Sequence, residues 1–243
     1  EKNIPDKLKE SNEIDLTLCA KKDKQGIVKV IENESLLYSY LPTSTRLNLP
    51  ILVNTTFIMG ANRESLHTDS LWNKWLFYNI SYKLIEWISE LVLTEYSFQA
   101  YRLFPQKLNF NYSFNIDYNK GIDKAIEIVP LLLSTEQKLL KIKDSIYDEV
   151  SFSNQHFISQ SLVKDFVLEK KNKEKNIDYN PFIQKTGFEH IFHKIGLMEF
   201  KWEDISSFLN YPNFVEIHNV SDNIELIRFL KEFERPERIK DKT

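Results

Sequence analysis

Between Ser70 and Tyr96 the apolar residues recur at helical spacing, and that run constrains the fold more than any other part of the chain. Trp72, Trp75, Leu76, Ile80, Leu84, Trp87, Ile88, Leu91 and Val92 recur at intervals of three or four, with Lys74, Lys83, Glu86 and Glu90 between them. A long helix with so wide an apolar stripe must bury it against another layer. The stripe's tryptophans, Trp72, Trp75 and Trp87, are therefore expected in the core. The preceding residues have a different period. From Glu13 to Ala20, Ile14, Leu16 and Leu18 alternate with Asp15, Thr17 and Cys19, the pattern of a half-buried strand, in which Cys19 reads as a small buried hydrophobe. A turn at Lys21–Gly26 (KKDKQG) leads to Ile27–Ile31, then to the strand-like runs Leu36–Leu41 and Leu49–Met59. Strands followed by one long helix predict an α+β fold, a mixed or antiparallel sheet packed on that helix as a two-layer sandwich.

Beyond Pro105 comes a polar-aromatic passage, QKLNFNYSFNIDYNKG, which reads as a domain boundary. The expected division is a sandwich domain over residues 1–117 and a smaller, helix-rich α+β region over residues 118–243. In the latter, Ile122–Val129 reads as a short helix. Leu131–Leu133 and Lys138–Ile142 read as a strand pair around the Ser134–Gln137 turn. Further helices are expected at Phe157–Glu169, Gly187–Ile195, Trp202–Leu209 and Asp222–Phe233, with a hydrophilic loop at Glu169–Asn176.

Composition narrows the function classes. Hydrophobic residues make up 42% of the 243, which is globular rather than disordered. The net charge of −3 advertises no broad basic surface, so nucleic acid is not indicated as a partner. Cys19 is the only cysteine, which excludes an intrachain disulfide and a cysteine zinc cluster. No apolar run is long enough to cross a bilayer and no signal peptide precedes the first strand, so no membrane partner and a cytoplasmic location are expected. The polar lead-in Glu1–Ser11, the charged tail Glu234–Thr243 and the missing initiator Met read as a piece of a longer chain.

The chemically informative stretch is Leu41–Leu66, LPTSTRLNLPILVNTTFIMGANRESL, followed by the helix start LWNKWLF at Leu71–Phe77. The order YSYLPTS, NLPILVN, NRE and WN resembles the segment that follows the ATP-binding domain in sacsin repeats and related large bacterial ATPases. These belong to the class of gyrase, the heat-shock chaperones, histidine kinases and MutL. With the lead-in IPDKLKE and the strand IDLTLCA, the resemblance covers roughly the first 100 residues. It implies a transducer, or middle, domain that couples ATP binding and hydrolysis in an N-terminal domain of the same chain to distal domains. ATP and Mg would then be held mainly by that N-terminal domain, and a client protein or self-association would supply further partners.

In that class a loop of the second domain reaches back to the γ-phosphate with a basic residue. In the ninety-kilodalton heat-shock chaperones the loop reads Asn-Leu-Ser-Arg-Glu. Ala61-Asn62-Arg63-Glu64 is similar in its Arg-Glu core, so the role maps onto Arg63, with Glu64 supporting it and Asn62 a further contact. The segment departs from the chaperone pattern before the Arg, and His67 stands where those chaperones carry a glutamine. A planar, permanently charged guanidinium suits the charge spread over γ-phosphate oxygens better than an ammonium does. The bland alternative is an Arg63 salt bridge at a loop-to-helix junction, and Glu64 either orients Arg63 or caps the next helix.

The five glycines (26, 60, 121, 187 and 196) never fall two within six residues, so no GxGxxG or Walker-type phosphate cradle exists. The chain is not expected to hydrolyse ATP alone. Weaker motifs compete. Glu189, His190 and His193 could share a helix face, but HxxH without a third ligand reads as surface or packing. Ser44, His67 and Asp69 lack a nucleophile elbow. The lysines of Glu169–Asn176 alternate with acids, a solvated loop rather than a phosphate patch. The rival to a transducer is a non-catalytic protein-interaction scaffold.

Overall fold

The computed structural model describes residues 13–30, 34–62, 64–109, 114–217 and 220–233. The chain is an α+β protein. Its strands are β1 (Leu16–Cys19), β2 (Lys21–Asp23), β3 (Gly26–Val28), β4 (Leu36–Ser39), β5 (Leu41–Arg46), β6 (Leu52–Thr55), β7 (Leu132–Leu133), β8 (Leu139–Leu140), β9 (Ile146–Asp148) and β10 (Met198–Phe200). Its helices are α1 (Leu71–Val92), α2 (Asn115–Ile128), α3 (Gln160–Lys170), α4 (Glu189–His193), α5 (Trp202–Leu209), α6 (Pro212–Ile217) and α7 (Val220–Phe233). No helix among the described residues is long and apolar enough to cross a membrane.

Four strands form the main sheet in the order β1-β6-β4-β5. It is mixed: β1 and β6 are antiparallel, β6 and β4 parallel, β4 and β5 antiparallel. The run read as one strand, Leu36–Leu41, ends at Ser39. The chain reverses at Tyr40, whose φ is +64°, and LPTSTR forms β5. Pro42 fits there because β5 is an edge strand. Leu49 and Ile51 are buried but irregular, so only Leu52–Thr55 of the run Leu49–Met59 is strand.

The long helix begins where the period changes. Ser70 caps it, its side chain accepting from the Asn73 N–H at 3.3 Å. Leu76, Phe77, Ile80, Leu84 and Ile88 are fully buried against Leu37, Leu47 and Val53 of the sheet side. Two expected core residues are not there. Trp75 is 49% exposed, its ring tilted against that of Trp72, because the buried positions run in two adjacent rows, 72/76/80/84/88 and 73/77/81/85/89, and Trp75 lies outside their arc. Cys19 is exposed, because Leu16 and Leu18 take the inward face of β1 and Cys19 falls on the outward one with Thr17. Trp72 is buried and Trp87 half-buried.

The boundary expected between residues 117 and 118 falls inside α2. This helix packs along α1 so closely that a Cβ on Gly121 would lie 2.2 Å from the Tyr78 carbonyl oxygen. Ser81 Oγ donates to the Tyr118 carbonyl at 2.7 Å and Ser89 Oγ to the Pro130 carbonyl at 2.5 Å, stitching the second segment to the first. One buried cluster therefore runs from Ile27 through α2 to Ile142, and takes in Ile183, Phe192 and Leu197. A second, Phe-rich cluster gathers Phe152, Val163, Phe200, Ile205, Phe208 and Leu226 beside the parallel pair β9–β10.

Candidate functional site

The segment joining β6 to α1 forms a hairpin-like loop. Met59 bridges Leu66, the Gly60 N–H donates to the Ser65 carbonyl at 2.7 Å, and the His67 N–H donates to the Ile58 carbonyl at 3.0 Å. Its base is gripped by the first turn of α1. Asn73, fully buried, accepts from the Ile58 N–H at 2.9 Å and donates through Nδ2 to the carbonyls of Ile58 at 2.8 Å and His67 at 3.0 Å. One side chain thus ties both legs of the loop to the helix. Trp72 Nε1 adds a bond to the Thr56 carbonyl at 2.8 Å, and Phe57 and Leu66 sink into the core on either side.

A third attachment comes from the sheet. Ser44 of β5 donates to the Glu64 carbonyl from both its N–H at 2.8 Å and its Oγ at 3.0 Å. Because β5 is an edge, its backbone is free on that side, and the loop covers it. At the tip, Asn62 Oδ1 accepts from the N–H groups of Glu64 and Ser65, both at 3.2 Å, and from Ser65 Oγ at 2.9 Å. This is an Asx-type turn that organises the tip from within. Asn62 Nδ2 carries no hydrogen bond among the described residues, and Ala61, Asn62 and Glu64 are exposed. The site therefore has a rigid, buried base and a polar, solvent-facing tip.

Arg63 lies outside the described residues; its neighbours Asn62 and Glu64 are on the tip. Glu64 does not cap the following helix, since Ser70 does. Arg46 sits exposed at the end of β5, two residues from Ser44. Ser44 engages the Glu64 carbonyl, and among the described residues no hydrogen bond joins it to His67 or Asp69, so no hydrolase triad assembles.

The other candidates separate as well. Glu189 turns back on its own helix start: its Oε1 accepts from the Gly187 N–H and Thr186 Oγ1, both at 3.1 Å, and from the Thr186 N–H. Burial pushes this carboxyl up, but the donors outweigh it and hold it below the ordinary carboxylate range. His193 Nδ1 pairs with Glu199 Oε1 on β10, while His190 is exposed. Among the described residues no group of three or more His, Cys, Asp or Glu is placed to hold a metal ion. In the Glu169–Asn176 loop, Lys175 donates to Glu169 Oε2 at 2.5 Å and to the Tyr211 hydroxyl at 3.2 Å, so that lysine is tied into a local network.

Sequence reasoning missed Asn73 and Ser44 as anchors of the loop. The signal for Asn73 was present in LWNKWLF, an amide among apolar positions at a helix start, where a buried polar group needs partners. Ser44 had no such signal, since its role depends on which strand lies at the sheet's edge. Comparison with protein families, with curated proteins and with solved structures returned no match.

Proposed function

We propose that the loop Met59–Leu66 is a nucleotide-sensing contact, through which this segment couples the ATP state of an N-terminal domain of the same chain to the domains beyond it. The observation that carries the reading is the contrast within the loop. Asn73 and Trp72 lock its base and Ser44 holds the Glu64 backbone to the sheet edge, while the side chains of Asn62 and Glu64 stand exposed at a tip that Asn62 shapes. A group that must meet a phosphate on another domain has to be held at fixed height above its own core, and backbone anchoring of this kind supplies that.

On this reading Arg63 contacts the γ-phosphate, and Asn62 Nδ2 adds a donor beside it. ATP and Mg are held by the N-terminal domain. Glu64 supports that contact from the next position on the tip. Transition-state charge is stabilised by the cation only when the two domains close, so closure and turnover are coupled.

The test is turnover in the parent chain. Arg63→Ala should lower the ATPase rate by at least about tenfold with little change in nucleotide affinity, and Arg63→Lys should restore part of it. Arg46→Ala, two residues along β5 from the Ser44 anchor, should leave the rate near its starting value. Unchanged turnover in folded Arg63→Ala would remove the sensing role.

A second reading, a protein-interaction scaffold without nucleotide coupling, draws support from the β4–β5 turn. Tyr40 is 82% exposed and Leu41 75% exposed. Leu41 is three residues from Ser44 on β5, roughly 10 Å away along the strand. The exposed aromatic turn therefore lies at the end of the same edge strand that holds the loop.

A further inference from the structure

Strand β9 ends on a carboxylate that its surroundings leave half-satisfied. Asp148 is 7% exposed, and its Oδ2 accepts from the Ser153 N–H at 2.6 Å. Its Oδ1 is buried without a hydrogen-bond partner among the described residues. A buried charged oxygen is costly to leave unpaired, so this one calls for a ligand. A cavity of about 120 Å³ has Asp148 in its wall. The turn after β9 passes through Ser151 at φ +56° and folds Ser153 back over the strand end. Ser153 is 5% exposed, lines the same cavity, and its Oγ makes no hydrogen bond among the described residues.

Another wall is the segment after Asn180. The Ile183 N–H donates to the Ile146 carbonyl and the Gln184 N–H to the Leu133 carbonyl, each at 3.0 Å, which seats this segment between β9 and β7. Gln184 Nε2 donates to the Ser134 carbonyl at 2.9 Å, and its Oε1 is left without a donor among the described residues. Thr135 Oγ1 accepts one long bond from Asn180 Nδ2 at 3.3 Å and keeps a second lone pair. The cation of this wall, Lys185, is exposed and donates to the Glu149 carbonyl at 2.9 Å.

We propose that this cavity binds a monovalent cation, an alkali-metal ion or a primary ammonium head, on Asp148 Oδ1, with Ser153 Oγ, Gln184 Oε1 and Thr135 Oγ1 as neutral donors. These atoms are all oxygens, which suit a hard cation or an N–H donor and not a soft metal. The lining holds one carboxylate, so a single positive charge balances it. A divalent ion would bury a surplus charge near Lys185. The volume is below the roughly 300 Å³ at which pockets for larger organic ligands begin. An occupant would join three stretches distant in sequence: the turn at Thr135, the end of β9 and the segment at Gln184. Binding therefore registers as stability of the fold.

Thermal unfolding of the chain in potassium, sodium, methylammonium, calcium and choline chlorides at matched ionic strength tests this. Choline carries its charge on a quaternary head with no N–H to give, so it reports screening alone. At about 100 mM, potassium, sodium or methylammonium should raise the melting temperature by roughly 2–4 °C over choline. A rise with methylammonium alone assigns an ammonium ligand, and a rise with potassium or sodium assigns the metal ion. Asp148→Asn keeps the shape and an acceptor for the Ser153 N–H but loses the charge, and should abolish the difference between salts. Ser153→Ala should raise the cation concentration at half-effect by roughly fivefold. Melting temperatures indifferent to the cation would mean that water satisfies Asp148, and would overturn the proposal. So would a larger rise with calcium than with any monovalent ion. So would a cation-specific rise unaltered by Asp148→Asn, or by Ser153→Ala should the first variant not fold.

Discussion

Around α1 the buried side chains that carry polar atoms reach for backbone: Asn73 to Ile58 and His67, Trp72 to Thr56, Ser81 to Tyr118, Ser89 to Pro130, Tyr101 to Leu131. Around Phe208, in the second cluster, the contacts are ring against ring. Phe152, Phe166, Phe200, Tyr211 and Phe214 surround it with centroids 4.9–6.4 Å away. Hydrogen bonds to backbone fix position to a fraction of an ångström, because they are directional and costly to leave unmade. Aromatic packing fixes volume, and tolerates rearrangement at similar volume. The region with the directional anchors is the one that carries the candidate loop.

The largest effect expected from this contrast is at Asn73. Asn73→Ala leaves the Ile58 N–H and two carbonyls without their buried partner, and should cost about 2–4 kcal/mol in urea unfolding. Phe208→Leu, a change within the ring cluster, should cost about 1–2 kcal/mol. Equal costs would break the comparison.

A smaller effect of opposite sign sharpens it. Tyr118 is fully buried in the first cluster, yet its hydroxyl has no hydrogen-bond partner among the described residues. Burial also pushes the phenol's pKa up. Tyr118→Phe removes an unpaired polar atom and should raise stability by about 1 kcal/mol. A loss of that size would mean that the hydroxyl is satisfied, by a buried water for example.

The smallest effect lies in the acid limb of stability. Glu189 has a depressed folded pKa, so its contribution is present above the ordinary value of 4.5 and lost as pH falls through the lower folded value. Glu189→Gln should flatten the stability profile below that pH and leave the neutral range with a modest, pH-independent offset. A profile unchanged in slope would remove the carboxylate from the α4 cap.

Much of the architecture was legible in the sequence, because hydrophobic period alone separates strand from helix. The change of period at Ser70 marked α1, and the Ser134–Gln137 turn marked the β7–β8 pair. What was not legible depends on neighbours distant in sequence. The β9–β10 pairing joins residues about 50 apart through three-residue strands too short to show alternation. The α2 start lay inside a polar passage because Asn115 and Tyr118 are buried by α1, not by their own pattern. Trp75 reads as core by spacing and lies outside by geometry. For the site, the tip residues Asn62 and Glu64 could be named from motif, while the clamp that holds them could not.

The central claim is that the loop tip responds to the γ-phosphate. Hydrogen exchange on the parent chain measures this at the Glu64 and Ser65 amides, which Asn62 Oδ1 already holds. With a non-hydrolysable ATP analogue bound, their exchange should slow by about tenfold or more relative to the ADP state, because closure adds a second layer of protection to the tip. Equal exchange in the two nucleotide states would contradict the account.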